Sequence, residues 1–342
     1  MNNTRISSNS YVLGMWLLFC AAVVYVMVVV GGITRLTQSG LSMVEWAPIM
    51  GILPPIGEVA WFEVFTKYQS SPEYHKVNLG MTLPAFKEIF WWEYGHRVLG
   101  RVIGMIYFIP FVYFLVKGMV PKVWRFKLFG LFILGGMQGL MGWYMVKSGL
   151  VDLPHVSQYR LTAHLGLALL IFAYMLWYAL DFLRGNKPNA GSSSSYKKLT
   201  SLTVGMVFLM MLSGGFVAGT KAGFIMNTFP MMNGEWLPQS WMSLTPWWRN
   251  LFENPISIQF IHRCLAVVVL ITVLVAFYFS LKQKFRTHFY IVLGVLLIQL
   301  GLGISALLLV VPIALGAAHQ AGAVALLASS LFVAHCARKQ AS

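Results

Sequence analysis

Residues 12–33 read VLGMWLLFCAAVVYVMVVVGGI, 22 positions without a charged side chain. A helix needs about 20 predominantly apolar residues to cross the hydrocarbon of a bilayer, so this stretch is expected to be a membrane span. Seven more stretches qualify: 96–116, 126–146, 160–182, 200–219, 258–281, 289–310 and 313–335. The composition agrees, with 58% of residues hydrophobic and 10% charged, where soluble domains hold roughly 45–50% and about 25%. A water-soluble fold of 342 residues has too little interior for that much apolar surface. The expected class is an all-α integral membrane protein with eight transmembrane helices.

The net charge of +15 is not gathered on one basic face, which excludes nucleic acid as a partner. It orients the chain instead. The N-terminus and segments 117–127, 184–198, 282–286 and 338–339 hold 14 of the 25 Lys and Arg and no acid, with Asp181 the one acid near that side. The other side carries Glu45, Glu58, Glu63, Glu73, Glu88, Glu93, Asp152, Glu235 and Glu253. Lys and Arg collect in cytoplasmic loops, so both termini are expected in the cytoplasm. The segment 11–33 is too long for a signal-peptide core, and no Arg- and Ser-rich leader precedes it. Neither a cleaved signal nor a transit peptide is therefore expected.

Two connections are long, 34–95 and 220–257. In the first, 57–70 and 83–94 place apolar residues at near-helical spacing around Lys67, Lys87 and Glu88, which predicts short helices lying on the membrane surface. The Gly- and Ser-rich run at 185–195 reads as a flexible linker. It divides the chain into 1–183, a linker at 184–199, and 200–342.

These halves are related by an internal repeat. Gly31-Gly32, Thr37, Gly40 and Met43 recur as Gly214-Gly215, Thr220, Gly223 and Met226, at a constant offset of 183. His96-Arg97-x-Leu99 recurs as His262-Arg263-x-Leu265, Gln138 and Gly142 as Gln299 and Gly303, and Ala163-His164 as Ala318-His319. With four spans apiece, both halves lie the same way up, related by an axis along the membrane normal.

Four histidines follow that repeat. His96, His164, His262 and His319 stand near the outer ends of the second, fourth, sixth and eighth spans. Ionisable groups inside spans are costly and face a bundle interior or a functional cavity. Neutral imidazole ligates haem iron, so two pairs on facing helices make two candidate haem sites, 96/164 and 262/319. A zinc site is disfavoured, because nothing supplies extra Cys or acidic ligands near the second pair. Arg97 and Arg263, each following a histidine, are candidate partners for haem propionates, with Arg35, Arg101, Arg160 and Lys221 nearby; interfacial snorkelling is their other reading. Glycines at 135–136, 139, 142, 301 and 303 would let a flat ring approach the backbone, or two helices touch. The remaining histidines, 75, 155, 288 and 335, read as solvated or interfacial. Cys20, Cys264 and Cys336 form no Cys-x-x-Cys-His attachment signal, so any haem is held by side chains alone.

The halves differ at one position. Glu93 stands three residues before His96, and Gln259 three before His262. Residues at i and i+3 share a helix face, which puts a carboxylate beside the first pair alone. This suggests a reactive site and an electron-handling site. An ion pair with Arg97 is the other use open to Glu93.

Gly31-Gly32-Ile33-Thr34-Arg35-Leu36-Thr37-x-Ser39-Gly40-Leu41-Ser42, Glu93-x-x-His96-Arg97-x-x-Gly100-Arg101, Tyr159-Arg160-Leu161-x-x-His164 and the two later histidines resemble the haem A synthase family over nearly the whole chain. The resemblance implies eight helices in two four-helix halves. It implies non-covalent haem B on His262 and His319, with Arg263 and Arg97 as cofactor-binding residues. Haem O is then the substrate, its iron on His96 and His164, with Glu93, His96 and His164 forming the catalytic set. The C8 methyl of haem O becomes a formyl group by successive hydroxylations, supplying haem A for cytochrome c oxidase. Expected partners are haem O synthase, oxidase assembly factors, an electron-transfer partner, membrane lipid and further copies of the chain. One branch of the family carries cysteine pairs in outer loops; this chain has none there and is closer to the proteobacterial and mitochondrial branch. A bacterial inner membrane is the location this implies. The competing readings are a two-haem cytochrome b-type electron carrier that leaves haem unmodified, and a transporter with structural histidines.

Overall fold

A computed structural model describes residues 8–45, 50–151, 154–184, 194–281 and 286–338. Its helices are α1 (Ser8–Leu36), α2 (Gly57–Gln69), α3 (Pro72–Lys76), α4 (Leu83–Val116), α5 (Lys122–Lys147), α6 (Gln158–Arg184), α7 (Ser194–Gly219), α8 (Pro255–Ser280), α9 (Arg286–Leu308) and α10 (Ile313–Ala337). Eight of them, α1 and α4 to α10, are long and apolar enough to cross a membrane. Extended structure among the described residues amounts to one isolated bridge, Met232 to Glu235.

Local chemistry sets several of the starts. The Asn254 side chain accepts the Ile256 N–H at 3.0 Å, and Pro255 opens α8. The Thr82 hydroxyl accepts from Ala85 N–H ahead of α4, and Ser71 does the same for Tyr74 ahead of α3. A capping oxygen satisfies a backbone donor that has no partner within the helix, and proline in the first turn has no N–H to leave unpaired.

One expectation is corrected here. Residues 83–94 are not a separate surface helix but the first third of α4, which has 34 residues. At 1.5 Å per residue such a helix is about 50 Å long, roughly 20 Å more than the hydrocarbon layer. The helical spacing was legible; the continuity was not, because Gly95 interrupts the apolar run without breaking the helix. The projecting turns are held by a cluster of rings, Trp61, Phe65 and Tyr68 of α2 or its end against Phe86 and Phe90 of α4. A second correction concerns the linker: Arg184 belongs to α6 and 194–199 to α7, and its remainder, 185–193, lies outside the described residues.

The two halves share a core. Each contributes its first and last span, α1 and α6 from the first half and α7 and α10 from the second. Buried Leu13, Leu17, Cys20, Val24 and Val28 form one stripe of α1, and Leu169, Phe172, Met175 and Ala179 one stripe of α6. The spacing of three or four is that of a single helix face. Across the halves, Gln320 Nε2 donates to Val28 O at 2.7 Å and Tyr25 O–H to Ala321 O at 3.0 Å. The middle spans, α4 and α5 or α8 and α9, flank this core.

The far ends of α6 and α10 meet at the basic side. His335 Nε2 donates to Asp181 at 2.9 Å, Arg338 also pairs with Asp181, and Arg184 donates to the Cys336 sulfur. His335 is 5% exposed and lies edge-on to Trp177. Its terminal position allowed a solvated or an interfacial reading; the residue is buried and paired, which rules out the solvated alternative.

Candidate functional site

Each of the four histidines lies against a glycine of the preceding span. A Cβ built on Gly31 of α1 would stand 3.1 Å from His96 Nε2, and one on Gly142 of α5 3.1 Å from His164 Cε1. In the second half, a Cβ on Gly214 of α7 would lie 3.6 Å from His262 Cε1, and on Gly303 of α9 2.8 Å from His319 Cε1. Three of these are tighter than ordinary van der Waals contact, and at Gly303 any side chain would force the ring to shift, so a ring approaches the bare backbone there. By contrast Gly135, Gly136, Gly139 and Gly301 face open space. They do not serve as tight helix contacts within the described chain.

His96 and His164 lie within electrostatic reach of each other, as do His262 and His319. The span bearing His96, α4, is joined to its neighbour α5 toward the opposite end. There Tyr107 O–H donates to Leu128 O at 2.7 Å, and the Phe108 and Phe132 rings are 5.0 Å apart. Toward the histidines, residues 94–106 of α4 and 132–147 of α5 include no buried side chain. Gln138 Nε2 donates to His164 O at 3.1 Å and Gln299 Nε2 to His319 O at 2.8 Å. Both fix the backbone at the start of a histidine-bearing helix. His164 Nδ1 and His319 Nδ1 are buried and meet no hydrogen-bond partner among the described residues.

The double glycines also tie the halves together. The second of each pair faces the other half: Gly32 packs under the Gln320 amide, and a Cβ on Gly215 would be 2.9 Å from Thr162 Oγ1. Gln320 follows His319, and Thr162 precedes His164 by two residues. The repeat was readable in sequence, but this reciprocal use of it was not, since a glycine does not say which helix comes close.

The histidine-arginine motifs clamp the loops that follow α1 and α7. Arg97 Nη2 donates to Met43 O at 2.8 Å and Nη1 to Glu45 O at 3.1 Å. Its counterpart Arg263 donates through Nη2 to Met226 O at 2.9 Å and through Nη1 to Thr228 O at 2.9 Å. Met43 and Met226 are themselves repeat partners. Arg263 Nε is buried and finds no acceptor among the described residues. The loops leave their helices alike, through Gln38 (φ 54°) and Lys221 (φ 57°), left-handed residues of the sort that ends helices. Neither is a glycine, so the sequence carried no signal of them. Arg160 bonds Tyr144 O at 2.8 Å and stacks on the Tyr144 ring.

Glu93 is 3% exposed, and both carboxylate oxygens are engaged. Oε1 accepts from Arg97 Nη2 at 2.6 Å and Nε at 3.1 Å. Oε2 accepts from Ser42 Oγ at 2.7 Å and Met43 N at 2.8 Å. The ion pair with Arg97, the other use open to Glu93, is thus the arrangement found. Gln259 reverses the polarity of the contact. Its amide donates to Ala222 O at 2.8 Å and Ile225 O at 2.5 Å, and its oxygen accepts from Arg263. Beyond the membrane, Glu73 is buried against Tyr68 O–H at 3.2 Å. Burial pushes its carboxyl up to about 7, nearby Glu93 adds to the rise, and Tyr68 and Lys221 oppose it.

Residues 14–331 match the family model described as Cytochrome oxidase assembly protein, COX15-CtaA. A protein named Heme A synthase from Nitrosospira multiformis is 53% identical over 335 residues, covering 96% of this chain and 94% of that one. Another of that name from Nitrosomonas eutropha is 49% identical over 337 residues, with 96% and 94% covered. A third, from Parvibaculum lavamentivorans, is 44% identical over 331 residues, with 97% and 96% covered. The eight spans, the paired histidines and these full-length likenesses have one conclusion: the chain belongs to the COX15-CtaA family of cytochrome oxidase assembly proteins.

Proposed function

We propose that this protein is a haem A synthase, an oxidoreductase that converts the C8 methyl of haem O to a formyl group by successive hydroxylations. The observation that carries the reading is the duplicated histidine pair, each ring seated on a glycine, with a carboxylate beside one pair and an amide beside the other. In this reading residues 1–183 take haem O between His96 and His164, and 200–342 hold haem B between His262 and His319.

The residues present fit such groups. His164 Nδ1 and His319 Nδ1 are buried and have no partner among the described residues, and Gly139 and Gly301 leave the backbone open to a flat ring. Arg263 keeps its Nε–H for an anion such as a propionate. Haem B, when bound, supplies reversible one-electron chemistry to the second site.

The protein's own part is positioning and charge. His96 and His164 orient the substrate from opposite helices, so that the methyl to be oxidised is presented in one place. Glu93 and Arg97 fasten the loop 42–45 at the mouth of that site, which limits access by water. The Glu93 carboxylate, one turn from His96 but turned to the loop by Arg97, Ser42 and Met43, acts on that site by holding the loop in place. Every hydroxylation removes two electrons from that carbon: with water as the oxygen source an electron-accepting partner takes them up, and with dioxygen the oxygen itself does, while a donor supplies two more.

The membrane is proposed to be a bacterial inner membrane, with the basic ends of the spans in the cytoplasm; reporter fusions at Lys122 then read cytoplasmic and fusions at Asn233 external. The electron-carrier reading predicts two unmodified haems B per chain. Extracting the pigment of the purified protein separates the two, since a synthase yields haem O or haem A beside haem B.

A further inference from the structure

The second pair carries a contact that the first lacks. Ser213 Oγ lies 3.0 Å from His262 Nδ1, one residue before the glycine that seats the same ring. The constant offset of 183 puts Val30 at the matching place in the first half, where a branched hydrocarbon side chain can neither donate nor accept. Among the described residues, His262 is the one histidine of the four with a hydrogen bond at Nδ1. We propose that Ser213 is a positioning residue for the cofactor: its hydroxyl accepts the His262 Nδ1–H and so leaves Nε2 as the lone-pair nitrogen that faces iron.

The argument is about tautomer and angle. A neutral imidazole has one N–H and one lone pair, and the partner of the first decides where the second points. Histidine ligands with such a partner bind metal more firmly, and its loss costs about 10-fold to 100-fold in affinity. A resident cofactor needs a firmly held ligand, whereas a substrate haem has to enter and leave. Serine in one half and valine in the other match that division of labour. The proposal rests on the reading of the second half as the haem B site.

The test uses the full-length protein purified with its haem. Ser213→Val copies the first half, and Ser213→Thr keeps a hydroxyl at the same atom. Transfer of haem B to excess apomyoglobin is timed by visible spectroscopy, and the reduced protein is titrated with carbon monoxide, which binds iron once a ligand lets go. The expected result is transfer about 10-fold faster and CO binding markedly greater for Ser213→Val, with Ser213→Thr close to wild type. Complete loss of haem B from Ser213→Val with retention in Ser213→Thr also supports the proposal. Wild-type behaviour of Ser213→Val overturns it, and so does equal loss in both variants, which would show that side-chain size matters and the hydroxyl does not. If the wild-type second half holds no haem B, the assignment of the site itself has failed.

Discussion

Glu93 and Arg97 form a buried ion pair one helical turn apart on α4, Oε1 to Nη2 2.6 Å, with side-chain exposures of 3% and 12%. In the second half Gln259 and Arg263 make the corresponding contact at 3.0 Å without a charge on the acceptor. The same loop clamp is thus built once as an ion pair and once as a neutral hydrogen bond.

That difference predicts unequal costs. Arg97→Leu leaves a carboxylate buried and unpaired, which costs about 3–5 kcal/mol. Arg263→Leu leaves a neutral amide oxygen and loop carbonyls short of a donor, about 1–3 kcal/mol. Thermal unfolding in detergent should therefore show the larger drop for Arg97→Leu. Equal drops would mean that the charge of Glu93 is neutralised by something other than Arg97.

Replacing Glu93 by Gln gives the first half the residue of the second, but not its surroundings. All four contacts to Glu93 come from donors, so an amide must turn its NH2 toward one of them. The expected result is an unchanged haem B spectrum with haem A formation down about 100-fold, the scale of misplacing a reacting group when a positioning contact is lost. Normal haem A yield would reduce Glu93 to a structural residue.

Much of this was legible beforehand, for definite reasons. Spans announce themselves because hydrocarbon tolerates no run of unpaired polar groups, and His96, His164, His262 and His319 stood out because ionisable groups there are rare. The direction in which Glu93 points was hidden. Helix periodicity puts it on the face of His96, yet Ser42 and Met43, about 50 residues earlier in the chain, turn its carboxylate to the loop. The pairing of His335 with Asp181 was hidden likewise, because it joins α6 to α10 across 154 residues.

His262→Ala and His319→Ala should each remove or alter the low-spin haem B spectrum while the protein remains folded. The motive is register: both residues sit on repeat-related glycines as the first pair does. A wild-type spectrum with full haem occupancy in both variants would disprove the haem B assignment.

Glu73 predicts a pH dependence confined to the outer loop. Its carboxyl is raised from 4.5 to about 7 in the folded chain. Below about 4.5 both folded and unfolded states hold the proton and no penalty exists. As pH rises from there, the unfolded chain ionises first, so folded stability declines until the folded group also ionises near 7. The total is on the order of 3 kcal/mol at most. Glu73→Gln mimics the neutral acid and should flatten the fall in unfolding temperature between pH 5 and pH 8. An unchanged slope in the variant would assign that fall to other groups.

The central claim is that one histidine pair holds a cofactor and the other a substrate that is chemically changed. It is met most directly by expressing the chain in cells that make haem O but have no other source of haem A, then extracting and separating the haems of the purified protein. The account predicts haem B together with haem A, with haem A lost and haem B retained in His96→Ala and His164→Ala. Two haems B per chain, with no haem A in the cells and haem O untouched, would contradict it and identify an electron carrier.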